Sequence, residues 1–377
     1  MHRYSKAPDS RGNLQYIFDV VTSTDNLIAA HEKASRGRHD HPYVHDWDVN
    51  LFEHIEEVQY RLRLGTYSPS GYNVFDKQEG DKIRRIHSLI NYDDRVIQWA
   101  LILPIQDYLN YHIFTNDTYS AIKGRGQIKC MLNVRKAILD DPEGCRYYLK
   151  IDIHHYYQSI DHGLMKICWR NYFKDREFLK IIDSIIDSLP DCDGLPIGNL
   201  LSQYSGNLYL TEFDHYVKEK LKIDHYYRYM DDMVFFSNNK KKLHGVFEIV
   251  KGYLNNLMGG LKIKNNYQIN ELKTDKLDYV GYVIHGDGKI LVRKRSKKRY
   301  VYRCNRCLKN MSDHNIASME AGNGLVTYAN SRGLQQKYHV PVVDKMIDAG
   351  KKKNTKKKKL KTMVVVSLSD RLKSLYK

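Results

Sequence analysis

No stretch of this 377-residue chain is apolar for long enough to span a bilayer, which takes about 20 consecutive apolar residues. The N-terminus, Met1-His2-Arg3-Tyr4-Ser5-Lys6, has no apolar core. The reading therefore expects no secretory signal and no membrane partner. Cysteine is sparse: the six residues, at 130, 145, 168, 192, 304 and 307, are mostly scattered. That usage fits a reducing, cytoplasmic setting rather than a disulfide framework. Cys304-Asn-Arg-Cys307 is a lone C-x-x-C with no second pair at zinc-site spacing, so free thiols on a basic segment are the favoured reading over zinc. No internal repeat is visible, which excludes a solenoid or propeller. Negative charge is in short supply. Asp and Glu number 44 against 61 Lys and Arg, for a formal net charge of +17. An excess of that size points to a polyanionic partner.

What is present is ordinary in bulk. Hydrophobic residues make up 42% and charged residues 28%, as in a globular protein, and the length allows two or three compact units. Tyrosine is abundant, at 30 against 10 phenylalanines. Tyrosines can stack on bases, but Lys, Ile and Asn are plentiful too, so a compositional bias explains the count equally well.

The most informative stretch is Tyr226 to Phe236, YYRYMDDMVFF. Strand-type residues flank Asp231-Asp232, which predicts a β-hairpin with the acid pair at its turn. An Asp-Asp turn by itself is an ordinary surface feature. What separates this one is Asp152, an isolated carboxylate near the end of the short apolar strand Leu149-Lys150-Ile151-Asp152-Ile153. Acids in apolar surroundings are costly unless something pairs them. Two strands that deliver carboxylates to one place are what two-metal phosphoryl transfer needs.

Around these strands the pattern alternates. A helix is expected from Trp47 to Leu64, stopped by Gly65 and Pro69, with Val49, Phe52, Ile55, Val58 and Leu62 at near-helical spacing. A basic strand-like segment follows at Lys82-Ile-Arg84-Arg85-Ile86. A long helical stretch from Asp94 to Phe114 should be kinked or divided by Pro104. Helices are expected at 127–139, from 153 to about 188, at 198–222 and at 244–258. Strands are expected at 147–153, 261–263 and 279–284. The mixture predicts an α+β sheet domain.

Two basic clusters lie toward the C-terminus. Arg293-Lys294-Arg295-Ser296-Lys297-Lys298-Arg299 sits between strand-like 290–292 and 300–302 and reads as a folded basic face. The run Lys351 to Lys359 reads as a solvated, disordered segment with phosphate contact as a secondary use.

The blocks fall in a recognisable order. Lys82 to Arg85 with Asn91-Tyr-Asp-Asp-Arg95-Val-Ile-Gln98 comes first, then Lys123-Gly-Arg125-Gly126. Lys150-Ile-Asp152-Ile153-His-His-Tyr156-Tyr157-Gln-Ser159-Ile160-Asp-His162 and Gly194-Leu-Pro196-Ile197-Gly198-Asn-Leu-Leu-Ser202-Gln203 follow. Tyr229 to Asp232 and Lys273-Thr274 with Tyr279-Val280-Gly281-Tyr282 close the series. From about Lys82 to Gly281 this arrangement strongly resembles reverse transcriptases. The resemblance implies a right-hand polymerase fold. An N-terminal helical segment would cover 1–65, fingers 66–146, a palm with an antiparallel sheet 147–286, and a basic helical thumb and tail 287–377.

The resemblance also implies site residues. Asp152 and Asp231 are the expected metal ligands, with Asp232 close by as a third catalytic acid and Ile153 lending a backbone carbonyl. The cofactor would be two Mg²⁺ ions, with Mn²⁺ able to substitute. Mg²⁺ prefers hard oxygen ligands and keeps some waters, so two or three Asp suffice. Tyr157 falls where the family places an aromatic sugar gate, and core packing is its alternative. Lys82, Arg84, Arg125 and Lys273 are candidates for phosphate contact, and Ile197 and Gly198 for the nucleotide pocket. Ile122 stands where an arginine is expected, so Lys123 or Arg125 would have to grip the triphosphate. Arg293, Lys294, Arg295, Lys297 and Lys298 are candidates for template RNA.

The stretch 194–203 carries a further departure. Most reverse transcriptases have Gln where this chain has Ile197 and Pro where it has Gln203. The form I-G-x-x-x-S-Q resembles reverse transcriptases of diversity-generating retroelements, which copy a template RNA with frequent errors at adenines. An amide beside the incoming nucleotide can hydrogen-bond and hold the pair, whereas isoleucine cannot, so discrimination should fall. Neutral replacement at similar bulk is the alternative. The partners so implied are template RNA, a primer and its cDNA, dNTPs and a small basic oligomeric accessory protein. The rival readings are a retron, group II intron or phage-defence reverse transcriptase and, from another class, a catalytically inactive RNA-binding protein.

Overall fold

The structure, a computed structural model, describes residues 16–79, 82–189 and 194–348. Expectations for Met1 to Lys6, Cys192, the run Lys351 to Lys359 and the Lys82 side chain lie outside the described residues. The chain divides into two interleaved compact units. One comprises residues up to Lys123 with Asp152–Lys222 and Val246–Asn266; the other comprises Gly124–Ile151, Ile223–Gly245 and residues from Tyr267 onward.

The first unit is helical apart from one hairpin. Its central helix, Tyr92–Ile102, starts at Asn91, whose side chain accepts from the Asp93 amide. Val96, Ile97, Ala100 and Leu101 are fully buried along it, and Asn26 Nδ2 donates to the Ala100 carbonyl at 3.0 Å. Pro104 divides the stretch as expected: a short helix Gln106–Tyr108 and a π-helical turn Leu109–Ile113 follow. The helix expected over 47–64 is two, Pro42–Val49 and Leu51–Arg63. Asn50 separates them at φ −109°, ψ 35°, outside helical values. The helix expected over 198–222 is also two, Leu200–Tyr209 and Thr211–Glu219. Leu210, whose side chain is fully buried, breaks it at φ −98°, ψ 6°. Helices His162–Tyr172 and Arg176–Ile186 are capped by Asp161 and Asp175, and Trp169, Phe173 and Phe178 pack between them.

The hairpin of this unit joins β1 (Tyr72–Glu79) to β2 (Lys82–Leu89), paired from Tyr72↔Leu89 to Glu79↔Lys82. Only the β2 half carried a strand signal. The β1 half, YNVFDKQE, mixes polar and apolar residues on two largely exposed faces, so no buried face imposes a period.

The second unit holds two sheets. In the first, β3 (Tyr147–Asp152), β4 (Tyr226–Tyr229), β5 (Asp232–Ser237) and β6 (Gln268–Glu271) lie in the order β4-β5-β3-β6. In the second, β7 (Leu277–Tyr279), β8 (Tyr282–Ile284) and β9 (Ile290–Val292) form an antiparallel meander. The single strand expected over 279–284 is thus a hairpin. It folds at Val280 and Gly281, with φ of 41° and 84°. The strand expected at 261–263, in the first unit, is one isolated bridge, Ile153↔Ile263. The helix Gln127–Asp140 matches its expected span to one residue, and Lys240–Leu257 starts four residues earlier than expected. Residues 300–302, read as a strand, belong to the helix Lys294–Lys309. Tyr300, Cys304 and Cys307 recur on it at spacings of four and three and are buried against Met319, Val326, Val342 and Met346. That is a helical period. The cysteines form no disulfide.

Gly194 sits close against backbone of the first unit. Its φ is +69°, and a Cβ there would lie 2.0 Å from the Tyr157 carbonyl oxygen, which also accepts from the Leu195 amide at 2.8 Å. Gly194→Ala should therefore cost roughly 1–3 kcal/mol from the left-handed backbone alone, with the clash adding to it. A denaturant midpoint equal to that of the parent would contradict this packing.

Candidate active site

The acid pair sits on the β4–β5 hairpin of the second unit. Tyr229 pairs with Asp232, so the two-residue turn is Met230-Asp231, and Asp232 is the first residue of β5. The pair is therefore split between turn and strand. Met230 adopts φ 57°, the positive value a tight hairpin turn requires. Beneath the turn lies a residue that sequence reading passed over. Arg228 is fully buried, and its Nη1 donates to the Met230 carbonyl at 3.1 Å. A cation inside an aromatic strand was the available signal.

Two further side chains hold this hairpin. Lys150 Nζ, from β3, lies 3.7 Å from Asp232 Oδ1 and donates to the Asp278 carbonyl at 2.6 Å. The Tyr279 hydroxyl lies 3.0 Å from the Tyr227 carbonyl and 3.2 Å from that of Asp232. Burial drives the Tyr279 phenol pKa well above its usual value, with Cys130 and Asp232 adding to the shift. It therefore stays a hydrogen-bond donor. Gln127 Nε2 donates to the Val280 carbonyl at 2.5 Å, so the β7–β8 turn is tied from both sides.

Asp152 closes β3, where the first unit resumes. Its carboxylate takes a hydrogen-bonded ion pair from Lys264. The backbone is set by the Ile153↔Ile263 bridge, with Lys264 N donating to Asp152 O and His154 N to Lys262 O, both at 2.8 Å. Those two bonds leave the Ile153 carbonyl out of the bridge. Lys264 was not foreseen, although a period of two in 261–264 puts Lys262 and Lys264 on one face. Loss of hydration, with His155, Lys264 and Lys262 nearby, holds the His154 pKa below its usual value.

Both Asp152 and Asp232 thus carry an ammonium partner, Lys264 and Lys150 in turn. The donors on offer, carboxylate and backbone carbonyl oxygens, are the hard ligands Mg²⁺ prefers. Among the described residues no group of three or more His, Cys, Asp and Glu side chains is placed to hold a metal ion.

The remaining expected residues lie on several elements. Tyr156 and Tyr157 lie on a 3₁₀ turn, Tyr156–Ser159, not on a strand. Tyr156 is buried, and its hydroxyl donates to the Gly206 carbonyl at 2.5 Å, which leaves Tyr157 the more accessible ring. Ile197 is half-buried and Gly198 exposed. The Ile197 carbonyl accepts from His87 N of β2 at 2.9 Å. A Cβ on Gly198 would approach the His87 carbonyl to 3.0 Å, so the β1–β2 hairpin seats on these two residues. Gln203 is exposed, four residues into the helix Leu200–Tyr209. Arg84 is exposed on β2 and Arg125 half-buried before the helix Gln127–Asp140. Ile122, in the expected arginine's place, is buried.

Lys273 lies toward the other end of β3. β6 pairs antiparallel with β3, Glu271 opposite Tyr147, so Lys273 lies beyond the Tyr147 end, whereas Asp232 meets β3 at Lys150. Lys273 instead lines a cleft of about 760 Å³ with Arg146, Asp275 and His285. In the basic cluster, Arg293 is ion-paired to Asp278. Lys294, Arg295, Lys297 and Lys298 are exposed in the first turns of the helix Lys294–Lys309.

Residues 76–284, more than half of the chain, match the family described as reverse transcriptase (RNA-dependent DNA polymerase). No curated protein matches the chain in sequence. Among solved structures, telomerase from Candida albicans in complex with a TWJ fragment of telomeric RNA aligns at TM-score 0.47 and 10% identity, over 80% of this chain and 64% of that one. Apo telomerase from Candida tropicalis aligns at TM-score 0.44 and 13% identity, over 78% and 59%. The chain thus spans about three-fifths of the length of these telomerase chains. The mixed helix and sheet content and the family match place the fold in the right-hand polymerase class.

Tyr279→Phe removes a buried hydroxyl shared by two carbonyls. It should lower stability by about 1 kcal/mol and loosen the hairpin that carries Asp231 and Asp232. Chemical denaturation and single-turnover primer extension check the two effects. Unchanged values in both would show that the hydroxyl holds nothing.

Proposed function

Since the chain belongs to the reverse transcriptase family, the RNA-dependent DNA polymerases, we propose that it makes error-prone, adenine-mutagenic cDNA from the template RNA of a diversity-generating retroelement. The observation that carries the subtype is the joint presence of Ile197 and Gln203 in I-G-x-x-x-S-Q. The side chain at 197 offers no hydrogen bond, and its backbone already serves β2.

The reaction is attack of a primer 3′-hydroxyl on the α-phosphate of a dNTP, with pyrophosphate leaving. Asp152, Asp231 and the Ile153 carbonyl would hold two Mg²⁺ ions, with Asp232 close by. When bound, those ions supply charge neutralisation at the primer oxygen and the phosphates. Support comes from sheet order: β3, which ends at Asp152, neighbours β5, which begins at Asp232. Lys150 and Lys264 keep two of these carboxylates compensated and oriented. Tyr157 would face the sugar, and Arg84, Arg125 and Lys82 the phosphates. The thumb cations at 294, 295, 297 and 298 stand at a helix N-terminus, where the macrodipole disfavours positive charge. A nucleic-acid backbone there would reverse that cost. Fingers, palm and thumb would follow the 66–146, 147–286 and 287–377 divisions. The small basic accessory protein remains part of this reading.

Asp231→Asn should abolish cDNA synthesis and leave RNA binding largely intact. Retention of a substantial part of parental extension would overturn the metal assignment. Ile197→Gln should lower misincorporation opposite template adenine more than opposite other bases. Each ~1.4 kcal/mol of discrimination restored is about tenfold in error rate. cDNA sequencing on one shared template decides it. No adenine excess in the parent removes the retroelement subtype; an excess that survives in Ile197→Gln removes only the role of Ile197.

A further inference from the structure

Two arginines of the first unit, remote in sequence, lie beside one aromatic column. Arg38 sits in a tight loop in which its amide donates to the Ser35 carbonyl at 2.8 Å and its carbonyl accepts from the His41 amide at 2.9 Å. The His41 ring stacks on Tyr43 at 5.0 Å, and Tyr43 packs on Tyr92 at 5.1 Å. Arg95 follows Tyr92 by three residues on the helix Tyr92–Ile102, so the two side chains share a face. Both arginines are half-buried.

No carboxylate among the described residues answers them. Asp93 is taken by Trp47 Nε1 and Arg61. Asp94 accepts from the Tyr67 hydroxyl and the Ser70 amide. Asp48 holds His31 Nε2 at 2.8 Å, and Asp40, in the loop itself, is exposed. The side chains of Arg38 and Arg95 make no hydrogen bond or ion pair among the described residues. Loss of hydration and the neighbouring Arg38 hold the Arg95 pKa below the usual guanidinium range. Arg95 is also the fourth residue of its helix, where the dipole disfavours a cation. Two half-buried guanidinium groups without an anion are an expense that an oxyanion bound between them offsets, because each fork matches a phosphate. The column ends in the exposed His41 ring, with Tyr43 its one stacked neighbour among the described residues. Its outer face is a platform for a base.

We propose that Arg38 and Arg95 clamp a phosphodiester of single-stranded RNA while a neighbouring base stacks on His41. The arginine pair calls for a phosphate and the aromatic end for a base; the choice of RNA rests on the polymerase reading.

The test uses the full chain carrying Asp231→Asn, so that extension plays no part and failure of the polymerase reading leaves the binding result intact. Affinity for a short unstructured RNA oligonucleotide is measured by fluorescence anisotropy across a salt series. Removing each arginine, as Arg38→Gln or Arg95→Gln, should make the slope of log affinity against log salt shallower by roughly 0.7. Arg95→Lys should keep the slope and lose affinity. His41→Ala should weaken binding about fivefold or more without changing the slope, and His41→Phe should restore it. Slopes unchanged in both glutamine variants would overturn the site. Arg38→Gln alters a loop side chain that holds no other group among the described residues, so its slope remains decisive if Arg95→Gln loses the fold. A second arm measures dNTP binding in the same variants. Weakened dNTP binding with RNA affinity intact would place the clamp on the nucleotide instead and equally overturn the proposal.

Discussion

A carboxylate set at a strand end resists burial unless a cation compensates it. Here the cations are internal. Lys150 reaches Asp232 from the adjacent strand, and Lys264 pairs with Asp152 across a short backbone bridge. The arrangement leaves both acids charge-compensated and partly enclosed. A buried acid deprived of its cation is costly, so these lysines belong to the fold as much as to the site.

The same economy runs through the hairpin that carries Asp231. Tyr279 spends its hydroxyl on two backbone carbonyls, Arg228 donates beneath the turn, and Lys150 reaches the carbonyl of Asp278, whose carboxylate pairs with Arg293. Polar atoms inside the sheet region are thus used to fix backbone rather than to face solvent. A hairpin so tethered keeps its carboxylates in place, which is what positioning in phosphoryl transfer demands.

Charge is distributed with the same logic on the outside. The helix Lys294–Lys309 opens with cations at the end where its dipole is positive, and Arg95 occupies the equivalent poor place on its own helix. Neither is good for an isolated protein. Both become favourable once a polyanion is present, in keeping with the formal charge of +17.

Much of this was legible in residue order. Asp152, Asp231 and Asp232 stood out because acids are rare inside strand-like apolar runs, and Pro104 marked a real helix break. Strongly periodic helices such as 127–140 were read nearly to their ends, since one buried face imposes the 3.6-residue period. Packing decided the rest. The breaks at Asn50 and Leu210 carry no Pro or Gly, and the half-exposed strand β1 has no period to read. Residues 300–302 look like a strand only until Cys304 and Cys307 are seen on the same buried stripe. Lys273 was placed by motif order, but antiparallel pairing of β6 with β3 carries it to the far end of the strand. Lys264, Lys150 and the Arg38–Arg95 pair were invisible for one reason. Pairing of charges between segments distant in sequence depends on which backbones the tertiary structure brings side by side, and no local pattern encodes that.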